Sequence, residues 1–206
     1  MTEEKEIRGL CIYKDYAAQQ VDNFYTVFEK FLNEIKPVRI IEIGTAQGGF
    51  ITAVADIMKD VGRCQIRSYD IYEQHWYVDI AKSRNIDIRI ENMFDERYEK
   101  LKPEYVNEIS NFIQGPGRTL VLCDGGNKIS EFNNISDLLK PGDFIMAHDY
   151  ASSPEYFVEH IQNKIWNWHE ISDMYIEDAI NRNNLVPYMK EEFDNIVWVC
   201  KVKENV

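Results

Sequence analysis

The chain has 206 residues, 45% hydrophobic and 13% aromatic, which is enough apolar surface for a sizeable core and excludes a disordered or collagen-like chain. Its 35 Asp and Glu outnumber 23 Lys and Arg, and the formal charge of −12 repels nucleic-acid backbone and anionic lipid, so no nucleic acid and no membrane is expected as a partner. No apolar run reaches the ~20 residues that span a bilayer. The charged start lacks the apolar core of a signal peptide, and four scattered cysteines form no C-x-x-C pair, so a reduced, soluble, cytoplasmic protein is expected.

In chain order, residues 16–35 place Val21, Phe24, Tyr25, Phe28, Phe31, Leu32 and Ile35 at three- and four-residue intervals, the stripe of an amphipathic helix that Pro37 ends. VRIIEIG (38–44) is a first strand closed by glycine, followed by a helix over 48–59. QIRSYDI (65–71) reads as a second strand, 76–84 as a helix and IDIRIEN (86–92) as a third strand. A polar helix is expected over 95–112, ahead of the Gly115-Pro116-Gly117 break. RTLVLCDGG (118–126) gives a fourth strand, 129–139 a helix and GDFIMAHDY (142–150) a fifth strand. Beyond it, 154–168 reads as a helix, 169–176 is compatible with a strand, 177–190 carries no clear signal, and FDNIVWVCKV (193–202) is a last strand.

Strands alternating with helices mean βαβ units. The expected fold class is α/β, a doubly wound, mainly parallel Rossmann-like sheet with an antiparallel last strand. No repeat, low-complexity tract or linker divides the chain. One domain is expected over 1–206, with an N-terminal helical segment (1–37), a ligand-binding core (38–150) and a C-terminal segment (151–206) that completes the sheet and lies over the site as a mobile cover. The first helix and this tail are expected to shape the acceptor side of any site.

Glu42-Ile43-Gly44-Thr45-Ala46-Gln47-Gly48-Gly49 sits where the first strand hands over to a helix. Gly44 lets the chain turn sharply, and Gly48 or Gly49 lets backbone approach a ligand at a helix N-terminus. Ala46 stands where a dinucleotide fingerprint needs its middle glycine, and no Walker-type loop occurs. On the loop alone, a ligand site and a plain turn remain equally open. Asp70 shifts that balance, because a carboxylate at the tip of the second strand can accept both hydroxyl protons of a ribose. With Glu42 it points to an adenosine-containing ligand.

Asp124 ends the fourth strand, and His148 and Asp149 end the fifth. In a parallel sheet these tips share an edge with Gly44 and Asp70, so three metal-ligating side chains converge beside the loop. Carboxylates suit Mg²⁺, Ca²⁺ or Mn²⁺, and an imidazole shifts preference toward Mn²⁺, Fe²⁺ or Zn²⁺. Each residue also has a plain structural role open to it: a turn for Asp124, a helix cap for Asp149, a backbone-bonded ring for His148. Their convergence favours a metal.

Glu42-x-Gly44-x-x-x-Gly48 together with Asp70 resembles the first motif and ribose acid of the class I S-adenosylmethionine-dependent methyltransferases, over about residues 38–150. The resemblance implies that Gly44 and neighbouring backbone face the methionine part, with Glu42, Thr45, Ala46 and Gly48 as cofactor-binding positions. It places Asp70 and Ile71 at the ribose and Asn92, Met93 and Phe94 along the adenine. Asp124, His148 and Asp149 narrow the likeness to the metal-dependent small-molecule O-methyltransferases, a group that spans catechol, macrolide-sugar and cephalosporin-hydroxylase-like enzymes. That implies S-adenosylmethionine and a divalent ion, Mg²⁺ or Mn²⁺, on Asp124, His148 and Asp149, although His148 stands where the group usually carries an acid. Asp124 would also border the cofactor and act in catalysis. Lys128, one position later than the lysine of the catechol enzymes, is the candidate base if its pKa is depressed, against the plainer reading of a solvated lysine at a helix start.

The implied reaction is methylation of a hydroxyl on a small-molecule or sugar acceptor, and a homodimer is compatible with it. Metal-dependent oxidation or hydroxylation on the same fold, and a non-catalytic adenosine-ligand module, stay open. Tyr150 is the aromatic expected near the acceptor. His75, Trp76 and Tyr77 are placed at the border of the adenosine or acceptor pocket, and Trp166, Trp168 and His169 read as core.

Overall fold

A computed structural model, whose described residues are 11–205, turns this alternation into a small hairpin and a seven-stranded sheet. The hairpin pairs β1 (Ile12–Tyr13) with β2 (Tyr16–Ala17). The sheet holds β3 (Arg39–Ile43), β4 (Gln65–Asp70), β5 (Ile86–Ile90), β6 (Thr119–Cys123), β7 (Phe144–Ala147), β8 (Leu185–Pro187) and β9 (Val199–Lys203), in the order β5-β4-β3-β6-β7-β9-β8. Only β9 runs against the rest, as its antiparallel pairing with both β7 and β8 shows. Every residue of β3, β6 and β7 is buried, the pattern of central strands covered by helices on both faces.

One core packs α1 (Phe24–Ile35), α2 (Gly49–Val61) and α3 (Tyr77–Arg84) onto the sheet. Its centre is aromatic, with the ring of Phe28 set edge-on to Phe50, Phe193 and Trp198 at 5.0–5.7 Å. The opposite core holds α4 (Pro103–Ile113), α5 (Lys128–Ile135) and, beyond the short α6 (Pro154–Tyr156), α7 (Asp173–Asn183). The last helix, α8 (Lys190–Asp194), returns Phe193 to the first core. No helix among the described residues is long and apolar enough to cross a membrane.

Several boundaries differ from the sequence reading. The helix expected over 16–35 begins at Phe24, because Tyr16 and Ala17 pair in the hairpin. That hairpin lies against the start of α2, where a Cβ on Gly49 would come within 2.5 Å of the Ala17 carbonyl. The polar helix starts at Pro103, since proline suits the first helical turn and Asp95 is committed to a turn by accepting the amides of Arg97 and Glu99. The helix expected over 154–168 is three residues followed by a single π-type turn, Phe157–Ile161. Residues 169–176 contribute one bridge, Tyr150 to Ile171, before α7. The segment 177–190, which carries no clear signal in the sequence, contains the end of α7 and the edge strand β8, bonded to β9. The last strand begins at Val199, because the apolar Ile196-Val197-Trp198 run is core-filling turn rather than strand.

The hairpin is tied to α2 by charge. Asp56 meets Lys14 and Lys59 at 2.8 Å and Arg84 at 3.3 Å. Burial works against its charge, but these three cations prevail and hold its carboxyl down at about 2. Its folded pKa lies below the ordinary 3.8, so the stabilisation is complete above about pH 4 and lost as pH falls toward 2. Asp56→Asn is expected to cost about 1–2 kcal/mol at neutral pH, allowing for solvent screening of the exposed lysines, and almost nothing at pH ~2. Urea melts of both proteins at the two pH values check it.

Candidate active site

The site forms where β3 and β6 leave the sheet and their following helices turn to opposite faces, the point at which doubly wound folds open a crevice. Gly44 has φ +92°, and a Cβ there would lie 2.2 Å from the Asp124 carbonyl oxygen, so this close approach of two strand tips admits only glycine. The loop beyond is clamped from the side. The Ala46 amide donates to Asp70 Oδ2 at 2.7 Å, the Tyr77 hydroxyl donates to the Ala46 carbonyl at 2.6 Å, and Trp76 Nε1 donates to the Gln47 carbonyl at 3.1 Å. Glu42 is fully buried beneath, accepting from the Ser68 hydroxyl, which also bonds Thr45 Oγ1. Burial pushes its carboxyl well above the usual range, and Oε1 has no hydrogen-bond partner among the described residues.

A cavity of about 520 Å³ opens over this loop. Of the residues predicted to bind the cofactor, Gly44, Ala46, Asp70, Ile71, Asn92, Met93, Phe94 and Asp124 line it. Glu42, Thr45 and Gly48 do not; Glu42 and Thr45 support the loop from behind, and Gly48 is the cap of α2. Trp76 and Tyr77 likewise brace the loop rather than border the cavity. Tyr69, Tyr72, Tyr98 and Glu131 also line it. Glu131 accepts the amides of Gly125 (3.1 Å) and Asn127 (3.2 Å), and burial, opposed by Lys128, pushes its carboxyl up to about 7.

A second cavity of about 390 Å³ lies on the other side of Asp124 and Gly125, which line both. It brings together Asp124, Lys128, His148 and Asp149 from the strand tips with Gln19, Trp166, Trp168 and Glu170. His148 Nδ1 lies 3.1 Å from Asp124 Oδ1 and 3.6 Å from Asp149 Oδ1, and one ligand atom from each of the three falls within 4.8 Å of the others. Ligands about 2.1 Å from a small divalent ion sit roughly 3–4 Å apart, so the two spacings at His148 match a shared ion, and two carboxylates with one imidazole suit Mn²⁺ or Fe²⁺ as well as Mg²⁺. Asp149 adopts φ +57°, which turns its side chain back toward His148. Burial opposes its charge, but His148 and Lys128 hold the carboxyl below the usual range.

Lys128 is buried rather than solvated. Its buried Nζ lies 2.8 Å from Asp149, 2.9 Å from Glu170 and 3.7 Å from Asp124, and it donates to the Gly125 carbonyl at 3.0 Å. Burial alone would lower its pKa, but the three carboxylates prevail and hold it well above the ordinary lysine range. In this arrangement Lys128 is an ion-paired cation among the acids, not the solvated lysine of the plainer reading.

Tyr150 is buried away from both cavities, its hydroxyl donating to Asp173 at 2.9 Å. Of the residues read as core, Trp166 is in the core and also walls the second cavity, its Nε1 donating to Asp149, whereas Trp168 is exposed and walls the same cavity. His169 lies behind them, stacked on Phe157. Gln20, which no motif marked, is fully buried and donates to Asp124 Oδ2 at 3.2 Å while accepting from Trp198 Nε1 at 2.8 Å. Trp198 in turn stacks on the His148 ring at 4.9 Å. Gln20 and Glu170 had no local signal, since their partners are distant in sequence. Glu131 had one: it stands four residues after the Asn127 cap, within reach of the loop amides.

Known proteins share this fold. The rhamnosyl O-methyltransferase of Mycobacterium tuberculosis (strain ATCC 25618 / H37Rv) is 24% identical over 132 residues, covering 59% of this chain and 49% of the relative, so the chain spans about half the length of the curated relatives it matches. Among solved structures, apo CmcI superposes with a TM-score of 0.66 at 16% identity, covering 96% of this chain and 78% of that one. CmcI with Mg-SAM gives 0.60 at 16%, covering 94% and 77%. These likenesses fix the fold as that of the methyltransferases. A family model described as Rhamnosyl O-methyltransferase/CmcI matches residues 17–179, from the second hairpin strand through most of α7 and so across both cavities; the chain belongs to the rhamnosyl O-methyltransferase/CmcI family.

Proposed function

We propose that the chain is a methyltransferase that moves the methyl group of S-adenosylmethionine to a hydroxyl of a sugar or a molecule of similar size, with a divalent ion held by Asp124, His148 and Asp149. The observation that carries this is the meeting of two cavities at Asp124 and Gly125, one shaped for a nucleoside and one lined by acids and tryptophans. Asp70 Oδ1 and Oδ2 each take one backbone amide, Tyr72 at 2.9 Å and Ala46 at 2.7 Å, which fixes the carboxylate and leaves lone pairs for ribose hydroxyls. Ile71, Met93 and Phe94 supply apolar surface for a base, and Asn92 the polar edge.

On the acceptor side, Trp166 and Trp168 supply aromatic wall for the apolar side of a sugar, and Asp124, Asp149 and Glu170 are the carboxylates that line the same cavity. Lys128 holds Asp149 and Glu170 in place, so these acids keep their geometry without drifting to solvent. A divalent ion bound here would lower the pKa of the acceptor hydroxyl and orient it. Positioning supplies most of the remaining acceleration in a displacement of this kind. The rhamnosyl O-methyltransferase relatives and CmcI with Mg-SAM support the sugar acceptor, the donor and the ion alike. Gln19 from the N-terminal segment and Trp166, Trp168 and Glu170 from the C-terminal segment wall the same cavity, which supports one catalytic unit over the whole chain.

The test is calorimetric titration of S-adenosylhomocysteine into chelator-treated protein, with and without Mg²⁺ or Mn²⁺, followed by methyl-transfer assays on rhamnosides and catechols. Tight binding and metal-dependent methylation of a rhamnoside are the expected results. No nucleoside binding under any metal condition overturns the reading.

A further inference from the structure

The free edge of the sheet carries a pattern that the site does not use. In β5 the sequence is Ile86-Asp87-Ile88-Arg89-Ile90, which reads the same in both directions apart from an exchange of charge about Ile88. Its inner edge pairs with β4, and the Glu91 amide donating to the Asp70 carbonyl fixes the phase of that ladder. Strand groups alternate sides, so Asp87, Arg89 and Glu91 point inward to β4, and the amides and carbonyls of Ile86, Ile88 and Ile90 point outward. Among the described residues, no hydrogen bond reaches those outward groups. Ile90 is 41% exposed at the end of this row. An edge of this kind is a template for another strand.

We propose that this edge pairs with the same edge of a second copy of the chain, antiparallel about a two-fold axis through Ile88, joining two sheets into one. Three registers satisfy the outward backbone groups, and charge separates them. Centring on Asp87 sets Asp87 against its own copy, and centring on Arg89 does the same for Arg89; both put like charges directly opposite, which is destabilising. Centring on Ile88 places Asp87 opposite Arg89 of the other copy, twice by symmetry. It also sets Ile86 opposite Ile90, covering the exposed isoleucine. Within one chain Arg89 already meets Asp87 at 3.0 Å, with Arg67 on the same Asp87 oxygen at 3.0 Å, so the join forms a row of alternating charge on that face. The opposite face is all isoleucine. The complementarity is to a second copy: two-fold pairing with itself is what an inverted, charge-exchanged strand fits.

The test is light scattering coupled to size exclusion across a concentration series, together with amide hydrogen exchange on the full chain. A mass of two chains is expected, with concentration-dependent protection of the Ile86, Ile88 and Ile90 amides. Ile88→Pro removes an outward N–H and leaves the β4 ladder bonds in place, and a urea melt of the variant measures what the lost core packing of Ile88 costs the monomer. The substitution is expected to weaken the dimer at least about tenfold, from the loss of two central hydrogen bonds. Arg89→Asp sets two acids opposite and should weaken it comparably, and adding Asp87→Arg to it should restore pairing. A chain monomeric at every concentration overturns the proposal, and so does a dimer that Ile88→Pro leaves intact with those amides unprotected.

Discussion

Asp124→Asn is expected to lower methyl transfer by at least about a thousandfold while S-adenosylhomocysteine binding stays within about threefold. The asymmetry follows from how Asp124 faces the two cavities. Its backbone packs against Gly44 and so shapes the donor side, a contribution that asparagine preserves. Its carboxylate points to the other side, where Oδ1 lies 3.1 Å from His148 and Oδ2 takes Gln20. Asparagine keeps the volume but removes a negative charge from the three-residue set that would hold an ion. The ion would then rest on Asp149 and His148, with the Lys128 ammonium only 2.8 Å from Asp149. Initial rates at saturating donor, Mn²⁺ titration by spin resonance and calorimetry separate the outcomes. An equal loss of S-adenosylhomocysteine binding marks Asp124 as a loop support, and an undiminished rate removes the second cavity from the chemistry.

The parallel core was legible in the sequence because several of its strands are short apolar runs and the tips that form the site carry a glycine or an acid. Those ends sit at one edge for a topological reason, so Gly44, Asp70, Asp124, His148 and Asp149 came together without any knowledge of side-chain packing. What stayed hidden depends on tertiary partners. Tyr16 and Ala17 fit a helical stripe as well as a hairpin, and only the β1 pairing decides between them. Ile196, Val197 and Trp198 carry strand composition but turn into the core, because burial rewards apolar residues in any backbone conformation. The charge state of Lys128 is set by Asp149 and Glu170 as well as by its neighbour Asp124, and position at a helix start says nothing of that. The core reading holds for Trp166, which also meets a cavity, and fails for Trp168, whose exposure depends on the same distant partners.

Gly44→Ala should be the most damaging single methyl group that can be added to the donor side. Two costs combine. A φ of +92° is strained for any residue with a Cβ, and that Cβ would lie 2.2 Å from the Asp124 oxygen, 2.5 Å from its carbonyl carbon and 2.7 Å from the Gly125 Cα. All three are backbone atoms, so no rotamer change relieves the contact. The strands cannot yield cheaply either, because the Asp124 amide is bonded to the Ile43 carbonyl at 2.9 Å and the Gly44 amide to Tyr69 at 2.8 Å, between fully buried strands. A loss of about 2–4 kcal/mol of stability is expected, and any folded fraction must spread the β3 and β6 tips, which displaces Asp124 in both cavities at once. S-adenosylhomocysteine binding should then be undetectable at concentrations that saturate the unaltered chain. Gly126→Ala is the matched comparison: it lies in the same lining, but a Cβ there meets nothing within 4 Å, so stability should stay within about 0.5 kcal/mol. Urea melts and calorimetry on the pair decide it. Equal behaviour of the two variants would mean that the β3 and β6 tips do not meet as drawn, and the donor cavity built on their contact would fall with it.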